Sequence, residues 1–405
     1  MRLAAYRAIL CLATALMLVQ SWPLWVGTSD IARVPFVVGT PYPHTNVEWL
    51  GMIAVLVGLV GAAVGYCSRW FLSISVLVLG IFVLFDQERL QAWVYQFLLV
   101  GSALACLPEK AALVFARGYL VTLYIHSGLS KLDAAFIHEL GPVFLGTVGY
   151  QLGFDPGRWR ANDQTLVILA MPLFELSIGL GSIGGQFRAM ARVGSILLHL
   201  ILIAILGPWG LNHSVNVLIW NGAILVGNLI LFTESRFWDF SEFRSRLTWP
   251  WIGLMVAGGF LPLLEPWGLL DTWPSHGLYA SHAERTELFI HEDDLENWPK
   301  SIRDHVEDRA DSPWIYLNLN GLSRSIRGVP LYPQSRATHA VAEDLADRHG
   351  GPHPVRILHW GHADRWTGRR FRTELIGSEA IRRYPTQYWL NAHPSRGRPD
   401  APAPG

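Results

Sequence analysis

Four residues of one apolar segment recur at a spacing that brings them together. Arg117, Tyr124, Gly128 and Lys131 are separated by seven, four and three positions, and at about 100° per residue they share one face of an α-helix. On that face Tyr124 would orient the amine of Lys131, and Gly128 would let another backbone or a ligand approach. A lysine at the exit of an apolar helix is either a base in a partly dry place or an interfacial anchor. The spacing leaves both open.

Two further polar residues lie inside apolar segments, where polar groups are costly and usually face other helices. Glu175 follows Pro172 by three positions and must be paired or protonated there. His199 ends a stripe that begins at Arg188 and passes through Ser195. Because imidazole changes its charge near neutral pH, His199 suits a proton carrier. A purely structural hydrogen bond is the alternative for each residue.

Four asparagines accompany the predicted helix at 213–232. Asn212 and Asn216 share one face, whereas Asn221 and Asn228 share the opposite one. A helix that is polar on two sides cannot lie at the lipid boundary, so we expect it at the centre of a bundle. Its asparagines either bond neighbouring helices or line a cavity.

The elements that position these residues are hydrophobic. The chain of 405 residues is 51% hydrophobic and 16% charged, against about 25% charged in soluble domains. With about 20 residues per crossing, it predicts an all-α polytopic bundle of about nine transmembrane helices over residues 1–270, embedded in a lipid bilayer. The segments are 5–21, 48–67, 70–85, 90–107, 111–130, 164–184, 190–206, 213–232 and 248–268. A formal net charge of zero gives no indication of nucleic acid.

Positive charges are unevenly distributed between the two sides of this bundle. With the N-terminus in the cytoplasm, nine Lys and Arg residues fall in cytoplasmic segments and five in the opposite ones. This asymmetry favours that orientation under the positive-inside rule. It predicts an integral protein of the cytoplasmic membrane, with Lys131 and the C-terminal residues outside.

One apolar stretch lies beside Lys131 and is too short to cross the bilayer. It runs from Val143 to Leu152 within the connection 132–163. Such a segment is either a lid over the mouth of the bundle or a loop whose apolar side rests among the headgroups. The two alternatives are open at this point.

The C-terminal domain, residues 271–390, has the composition of a soluble domain. Alternating runs predict strands, and an amphipathic pattern predicts one helix; the strands are 285–290, 314–319, 355–360 and 370–376, and the helix is 338–349. These elements indicate a small α+β domain or a β-sandwich, followed by a disordered Pro-rich tail at 391–405. His353, His359 and His362 match no established ligand spacing, so no metal site is predicted.

The run Ser127-Gly128-Leu129-Ser130-Lys131-Leu132-Asp133 resembles the alanine-glycine-x-x-lysine-leucine-aspartate run of vitamin K-dependent gamma-carboxylases. It also resembles that of their bacterial relatives, the HTTM domain proteins. The segment from Pro172 to Gly181 is similar to the DoxX and MauE membrane proteins. The resemblance covers about residues 1–270. It departs at Ser130, where the carboxylases have a second lysine, and at Phe136, where they have a tryptophan.

The resemblance implies a quinone-linked redox or carboxylase-like membrane enzyme, with a reduced quinone as cofactor and a quinone or a peptide as substrate. In the carboxylases the matching lysine is the base that acts on the reduced quinone, so Lys131 would be the base in this chain. The candidate catalytic residues are Lys131, Glu175 and His199, and the candidate cofactor-binding residues are Tyr124, Gly128, Asn212 and Asn216. The alternative is a non-enzymatic membrane scaffold that presents the C-terminal domain to an envelope partner.

Overall fold

The computed structural model describes residues 1–27, 31–41, 43–65, 67–233 and 248–395. Most of these residues are helical, and a small antiparallel sheet lies in the last third of the chain. The predicted helical bundle and the predicted C-terminal domain with strands are therefore both present.

Within the described ranges, six helices are long and apolar enough to cross a membrane. They are α1 (Arg2–Gln20), α3 (Thr45–Val64), α4 (Ser68–Phe85), α6 (Glu109–Leu129), α8 (Ala161–Ile183) and α9 (Arg188–Leu206). A single turn, α2 (Trp22–Trp25), follows α1. Two further apolar helices, α5 (Ala92–Cys106) and α10 (Val215–Leu231), have only 15 and 17 residues. The apolar side chains exposed along these helices are consistent with an integral membrane protein.

The ninth predicted span, 248–268, is not one continuous helix. It begins as α11 (Trp249–Met255), widens into a π-helical turn at Val256–Phe260 and ends as a 3-10 segment at Leu261–Trp267. Pro262 and Pro266 each remove a backbone donor and so prevent a regular α-helix there. The count of nine spans is therefore not confirmed; the described residues contain six helices of the required length and hydropathy.

Helices α6 and α8 approach each other through glycine. A Cβ atom at Gly128 would lie 2.9 Å from the carbonyl oxygen of Pro172, and one at Gly179 would lie 2.7 Å from Cγ1 of Ile125. Small residues are what allow two apolar helices to pack this closely. The close packing sets the distance at which side chains of α6 and α8 meet.

The connection after α6 contains a short helix of its own. A π-helical turn at Phe136–Leu140 leads into α7 (Gly141–Leu152). On one side of α7, Phe144 packs against Ile205 and Leu206 of α9. On the other side Tyr150 and Leu152 are exposed.

The C-terminal domain is an α+β domain, so the β-sandwich alternative does not hold for the described residues. Its five antiparallel strands have the order β2-β3-β1-β4-β5. The strands are β1 (Arg285–His291), β2 (Val306–Asp311), β3 (Trp314–Leu317), β4 (Arg356–Trp360) and β5 (Arg372–Ile376). The helices are α12 (Lys300–Arg303), α13 (Leu319–Arg327), α14 (Ser335–His349) and α15 (Ser378–Arg383).

The core of the C-terminal domain takes two residues from the N-terminal part of the chain. Ile31 and Val34, which precede α3, are buried in the same cluster as Leu288 and Leu345. Arg327 strengthens this contact, since its Nη2 donates to the carbonyl of Ile31 at 2.6 Å. The domain boundary at 271 therefore leaves out a part of that domain's core.

The predicted tail at 391–405 begins inside the packed structure. Asn391 is buried, and its Nδ2 donates to the carbonyl of Pro35 at 2.8 Å. The backbone N–H of Ser395 donates to the carbonyl of Arg33 at 2.9 Å. Residues 396–405 lie outside the described part of the chain.

The C-terminal domain is held over the end of the bundle at which α6 ends. The backbone N–H of Ala134, just after α6, donates to the carbonyl of Arg365 at 2.8 Å. Between α4 and α5, Glu88 Oε2 accepts from the backbone N–H of Tyr332 at 2.7 Å. Arg336 Nε donates to Gln87 Oε1, also at 2.7 Å. These contacts place the domain beside Lys131.

Candidate functional site

Lys131 lies two residues beyond α6 and points back into the protein. Its side chain is only 7% exposed, so it does not reach out to the headgroups as an interfacial anchor would. Its Nζ donates to the carbonyl of Ser127 at 2.9 Å, to Ser127 Oγ at 2.6 Å and to Glu175 Oε2 at 2.7 Å. These three acceptors match the three protons of an ammonium group.

Glu175 reaches Lys131 because α6 and α8 pack closely around Gly128. Its side chain is almost buried. An isolated carboxylate would be costly there, so pairing is the physical requirement. The expectation that Glu175 is paired or protonated is met, with Lys131 as the partner.

A second polar group is built around His199. The hydroxyl of Tyr124 lies 2.7 Å from His199 Nε2, and His199 Nδ1 lies 2.9 Å from Asn221 Oδ1. The amide of Asn228 donates to the oxygen of Tyr124. Because Asn221 Oδ1 can only accept, His199 carries its proton on Nδ1, and its Nε2 accepts from the Tyr124 hydroxyl. Tyr124 therefore orients His199 and not, as predicted, the amine of Lys131.

Both polar groups border one cavity of about 600 Å³. Lys131 and Glu175 lie on its wall together with Ser127, and so do Tyr124 and His199. The rest of the wall inside the bundle is mainly apolar and aromatic, with Trp93, Leu123, Phe144, Leu198, Leu202, Trp220, Ile224 and Tyr279. A volume in the range of about 300–1,000 Å³ with a few convergent polar groups is typical of small-molecule sites.

Three residues that line the cavity have a buried polar atom without a hydrogen-bond partner in the described structure; they are Trp93, through Nε1, Ser214 and Asn216. Asn216 donates through Nδ2 to the carbonyl of Met17 at 3.1 Å, but its Oδ1 is unpaired. The hydroxyl of Ser214 is likewise buried and unpaired. Buried polar groups are nearly always hydrogen-bonded, so unpaired ones on a cavity wall indicate where a ligand or water would bind.

The cavity is partly covered by α7 and by the C-terminal domain. Val143 and Phe144 of α7 line it, which favours the lid alternative for this segment. From the C-terminal domain, Tyr332 and Arg324 also line the cavity. Among the described lining residues Glu175 is the one carboxylate, and it is neutralised by Lys131. Arg324 therefore leaves the cavity with an excess of positive charge.

A charged cluster lies next to Lys131 in the chain, beginning at Asp133. His282 bridges Asp133 Oδ2 through Nδ1 and Glu265 Oε1 through Nε2, each at 2.6 Å. Burial alone would lower the pKa of His282, but the hydrogen bonds and charges of the two carboxylates outweigh it and raise the pKa to about 9. Arg365 adds a contact to Glu265 at 3.2 Å. The aspartate of the Lys131 run thus binds the C-terminal domain.

No protein-family model, no curated protein and no solved structure matches this chain. The likeness to carboxylases, HTTM proteins and DoxX-type proteins therefore rests on the short runs at 127–133 and 172–181 alone.

Five of the seven candidate residues border the cavity; they are Tyr124, Lys131, Glu175, His199 and Asn216. Gly128 does not: it faces the backbone of α8, which is one of the two roles expected for it. Asn212 does not either. It is exposed in the turn before α10, with φ of 47°, because that helix begins only at Val215.

Sequence reasoning missed three residues of the site. Ser127 lies one helical turn before Lys131, so its spacing of four residues was an available signal. Asn221 was assigned to the helix face opposite Asn216. Both residues line the cavity, because the cavity extends around α10. Arg324 comes from the C-terminal domain, and no local pattern connects it with the bundle.

The three histidines considered for a metal site are not brought together. His359 stacks on His339, with ring centroids 5.0 Å apart, and His362 lies 3.9 Å from Glu284. His353 instead stacks on His291, with centroids 4.1 Å apart.

Proposed function

We propose that this chain is a quinone-linked redox or carboxylase-like membrane enzyme, with Lys131 as the base. The observation that carries the proposal is the buried Lys131–Glu175 pair on the wall of a 600 Å³ cavity that His199 also borders. Titratable groups that share a partly closed cavity are typical of catalytic sites.

The cavity fits the ring of a reduced quinone. Aromatic and aliphatic side chains, among them Trp220 and Phe144, would enclose an apolar ring. Asn216 Oδ1 is an unpaired acceptor and Ser214 has an unpaired hydroxyl, so both suit the ring oxygens. When bound, a reduced quinone would supply reducing equivalents and an ionisable ring hydroxyl.

Glu175 supplies what Lys131 needs to act as a base. In the ion pair the amine is protonated and cannot accept a proton. Transfer of one proton across the 2.7 Å between Nζ and Oε2 leaves a neutral amine beside a carboxylic acid. The neutral amine can then accept a proton from a ligand hydroxyl, as general-base catalysis requires.

Two further groups on the cavity wall would take part in the reaction, one in binding a second substrate and one in proton transfer. Arg324 would bind a negatively charged oxygen, such as the carboxylate of a peptide, since its charge is not neutralised by a carboxylate among the described lining residues. His199 would take up a proton from a ligand in the cavity through the Tyr124 hydroxyl, which donates its own proton to Nε2 and accepts one from the ligand.

The test is to purify the protein from membranes in mild detergent and to measure co-purifying quinones by solvent extraction and mass spectrometry. We expect bound quinone in the wild type and a clear loss in Lys131→Ala. Lys300→Ala is the matched control, because Lys300 is exposed in α12, and it should retain the quinone.

Lys131→Arg separates binding from base catalysis. Arginine keeps the charge opposite Glu175 but cannot be deprotonated, so this variant should hold the quinone and fail to turn it over. Wild-type protein without quinone, or Lys131→Ala with unchanged quinone content and turnover, would refute the proposal.

A second candidate function is a membrane scaffold that presents the C-terminal domain to an envelope partner. It is favoured by three large aromatic side chains that the domain leaves almost fully exposed, Trp366, Phe371 and Trp389. Under this function Lys131→Arg is silent, whereas Trp366→Ser weakens partner binding.

For the orientation we propose an N-terminus in the cytoplasm and a C-terminal domain outside the cytoplasmic membrane. The distribution of lysine and arginine supports it. The position of the domain at the Lys131 end of the bundle is compatible with it.

A further inference from the structure

A cluster of two histidines and one aspartate lies on the C-terminal domain, apart from the cavity. His291 ends β1, Asp293 follows it in a 3-10 turn, and His353 precedes β4. Asp293 Oδ2 lies 3.6 Å from His291 Nδ1 and 3.9 Å from His353 Nε2. One nitrogen or oxygen donor from each residue falls within 4.8 Å of the others.

The spacing of these donors is close to that of a metal site. A tetrahedral Zn²⁺ ion with bonds of about 2.1 Å holds its ligand atoms about 3.4 Å apart. The distances from Asp293 Oδ2 to the two imidazole nitrogens need to shorten by a few tenths of an ångström, and the third pair of donors starts within 4.8 Å. The two imidazole rings, now 11° from parallel, must also tilt, since an ion lies near the plane of each ring it binds. His353 is partly exposed and has room to do so.

A buried carboxylate already prepares His353 as a ligand. Asp294 is 2% exposed, and its Oδ1 lies 3.1 Å from His353 Nδ1 while its Oδ2 accepts from the His353 backbone N–H at 2.9 Å. Nδ1 therefore carries the proton, and Nε2 presents its lone pair toward Asp293. Metal-binding histidines almost always donate their second nitrogen to such a group.

The remaining contacts of the cluster do not compete strongly with a metal. His291 Nδ1 accepts from the backbone N–H of Asp293 at 3.3 Å, which is a long hydrogen bond. The Asp293 carboxylate is mostly exposed, so at least one coordination position would open to solvent. Negative charge from Asp293 and Asp294 favours a cation over an anion.

We propose that His291, Asp293 and His353 form a site for a divalent transition-metal ion such as Zn²⁺. Two imidazoles and one carboxylate are ligands that Zn²⁺ prefers, whereas Mg²⁺ and Ca²⁺ prefer oxygen alone. The site is independent of the proposed quinone chemistry.

The test uses full-length, tag-free protein in detergent after treatment with a chelator. Calorimetric titration with ZnCl₂ should give one ion per chain, and Co²⁺ should give the visible absorption of a bound ion. His353→Ala and His291→Ala should each weaken binding by about a hundredfold or more. Asp294→Asn, which acts through His353, should weaken it by about 10–100-fold. His362→Ala is the control and should bind as the wild type does.

Asp293→Asn keeps the test decisive if a histidine variant fails to fold, because Asp293 is exposed and its side chain supports little structure. It should lose affinity with an unchanged melting temperature in the absence of metal. Wild-type protein that takes up no Zn²⁺ in a saturable way would overturn the proposal. Unchanged Zn²⁺ binding in folded His291→Ala, His353→Ala and Asp293→Asn would do the same.

Discussion

The glycines at positions 128 and 146 differ in the space around them, and only one of them affects the geometry of the site. Gly128 has no room for a side chain, since the carbonyl oxygen of Pro172 and Cγ of Leu176 lie within 3 Å of the place of its Cβ. At Gly146, on α7, an added Cβ would meet no atom of the described residues within 4 Å. Only the first of them sets the distance between α6 and α8, and therefore between Lys131 and Glu175.

Gly128→Ala should lower stability although alanine is the better helix former. Overpacking costs about 1–3 kcal/mol, against a gain of at most ~1 kcal/mol from helix propensity. Gly146→Ala, the matched control, should be neutral or stabilising by about 0.5–1 kcal/mol. Reversible unfolding in detergent measures both. Equal effects of the two substitutions would show that the α6–α8 contact is not tight.

At the scale of the element, the segment after α6 acts as a connector between the bundle and the C-terminal domain. Lys131 turns inward to Glu175, whereas Asp133, two residues later, turns to His282. The short stretch thus contributes to the cavity wall and to the attachment of the domain that partly covers the cavity.

This attachment should depend on pH. The pKa of His282 is raised from 6.5 to about 9, so its protonation stabilises the folded protein fully below about pH 6.5. The contribution is lost as pH rises toward 9. The melting temperature should therefore fall between about pH 6.5 and 9. The His282→Gln variant should have a lower melting temperature than the wild type at pH 6, and its melting temperature should change less with pH. An unchanged slope in His282→Gln would contradict the assignment.

Helix periodicity predicted much of the site and local sequence patterns predicted most elements. The spacing of Tyr124 and Lys131 was sufficient to predict that both lie on the same side of α6 and border one cavity, because both lie on or next to a regular helix. It failed for Asn212, which lies outside the helix that was assumed for it. Strand β2 was not predicted, since four of the six residues from Val306 to Asp311 are charged and they do not alternate with apolar ones. The contribution of Arg324 to the cavity depends on long-range packing, which leaves no local signal.

At the scale of the whole molecule, exposed tryptophans mark both ends of the bundle. On the side of the C-terminal domain they are Trp22, Trp49, Trp159, Trp209 and Trp267, and at the opposite end they are Trp70 and Trp249. Tryptophan is enriched where a membrane meets water. Between these two levels the exposed side chains of α3 and α4 are largely apolar, as lipid contact requires.

The proposed orientation predicts the outcome of proteolysis. Protease added to intact spheroplasts of a bacterial host should remove the C-terminal domain and leave a membrane-bound fragment. The same protease added to inverted vesicles should spare the domain. The opposite pattern would place the domain, and the cavity mouth, in the cytoplasm.

The burial of Ile31 and Val34 within the C-terminal domain has a consequence for biogenesis. More than 250 positions separate Val34 from Leu288, its partner in the same core. During synthesis Ile31 and Val34 cannot be buried in this core until almost the whole chain has left the ribosome. Closure of that core is a late, long-range event and hence a slow one. A fragment that starts at residue 271 would lack part of its own interior, so we expect it to be less stable than the domain in the intact protein.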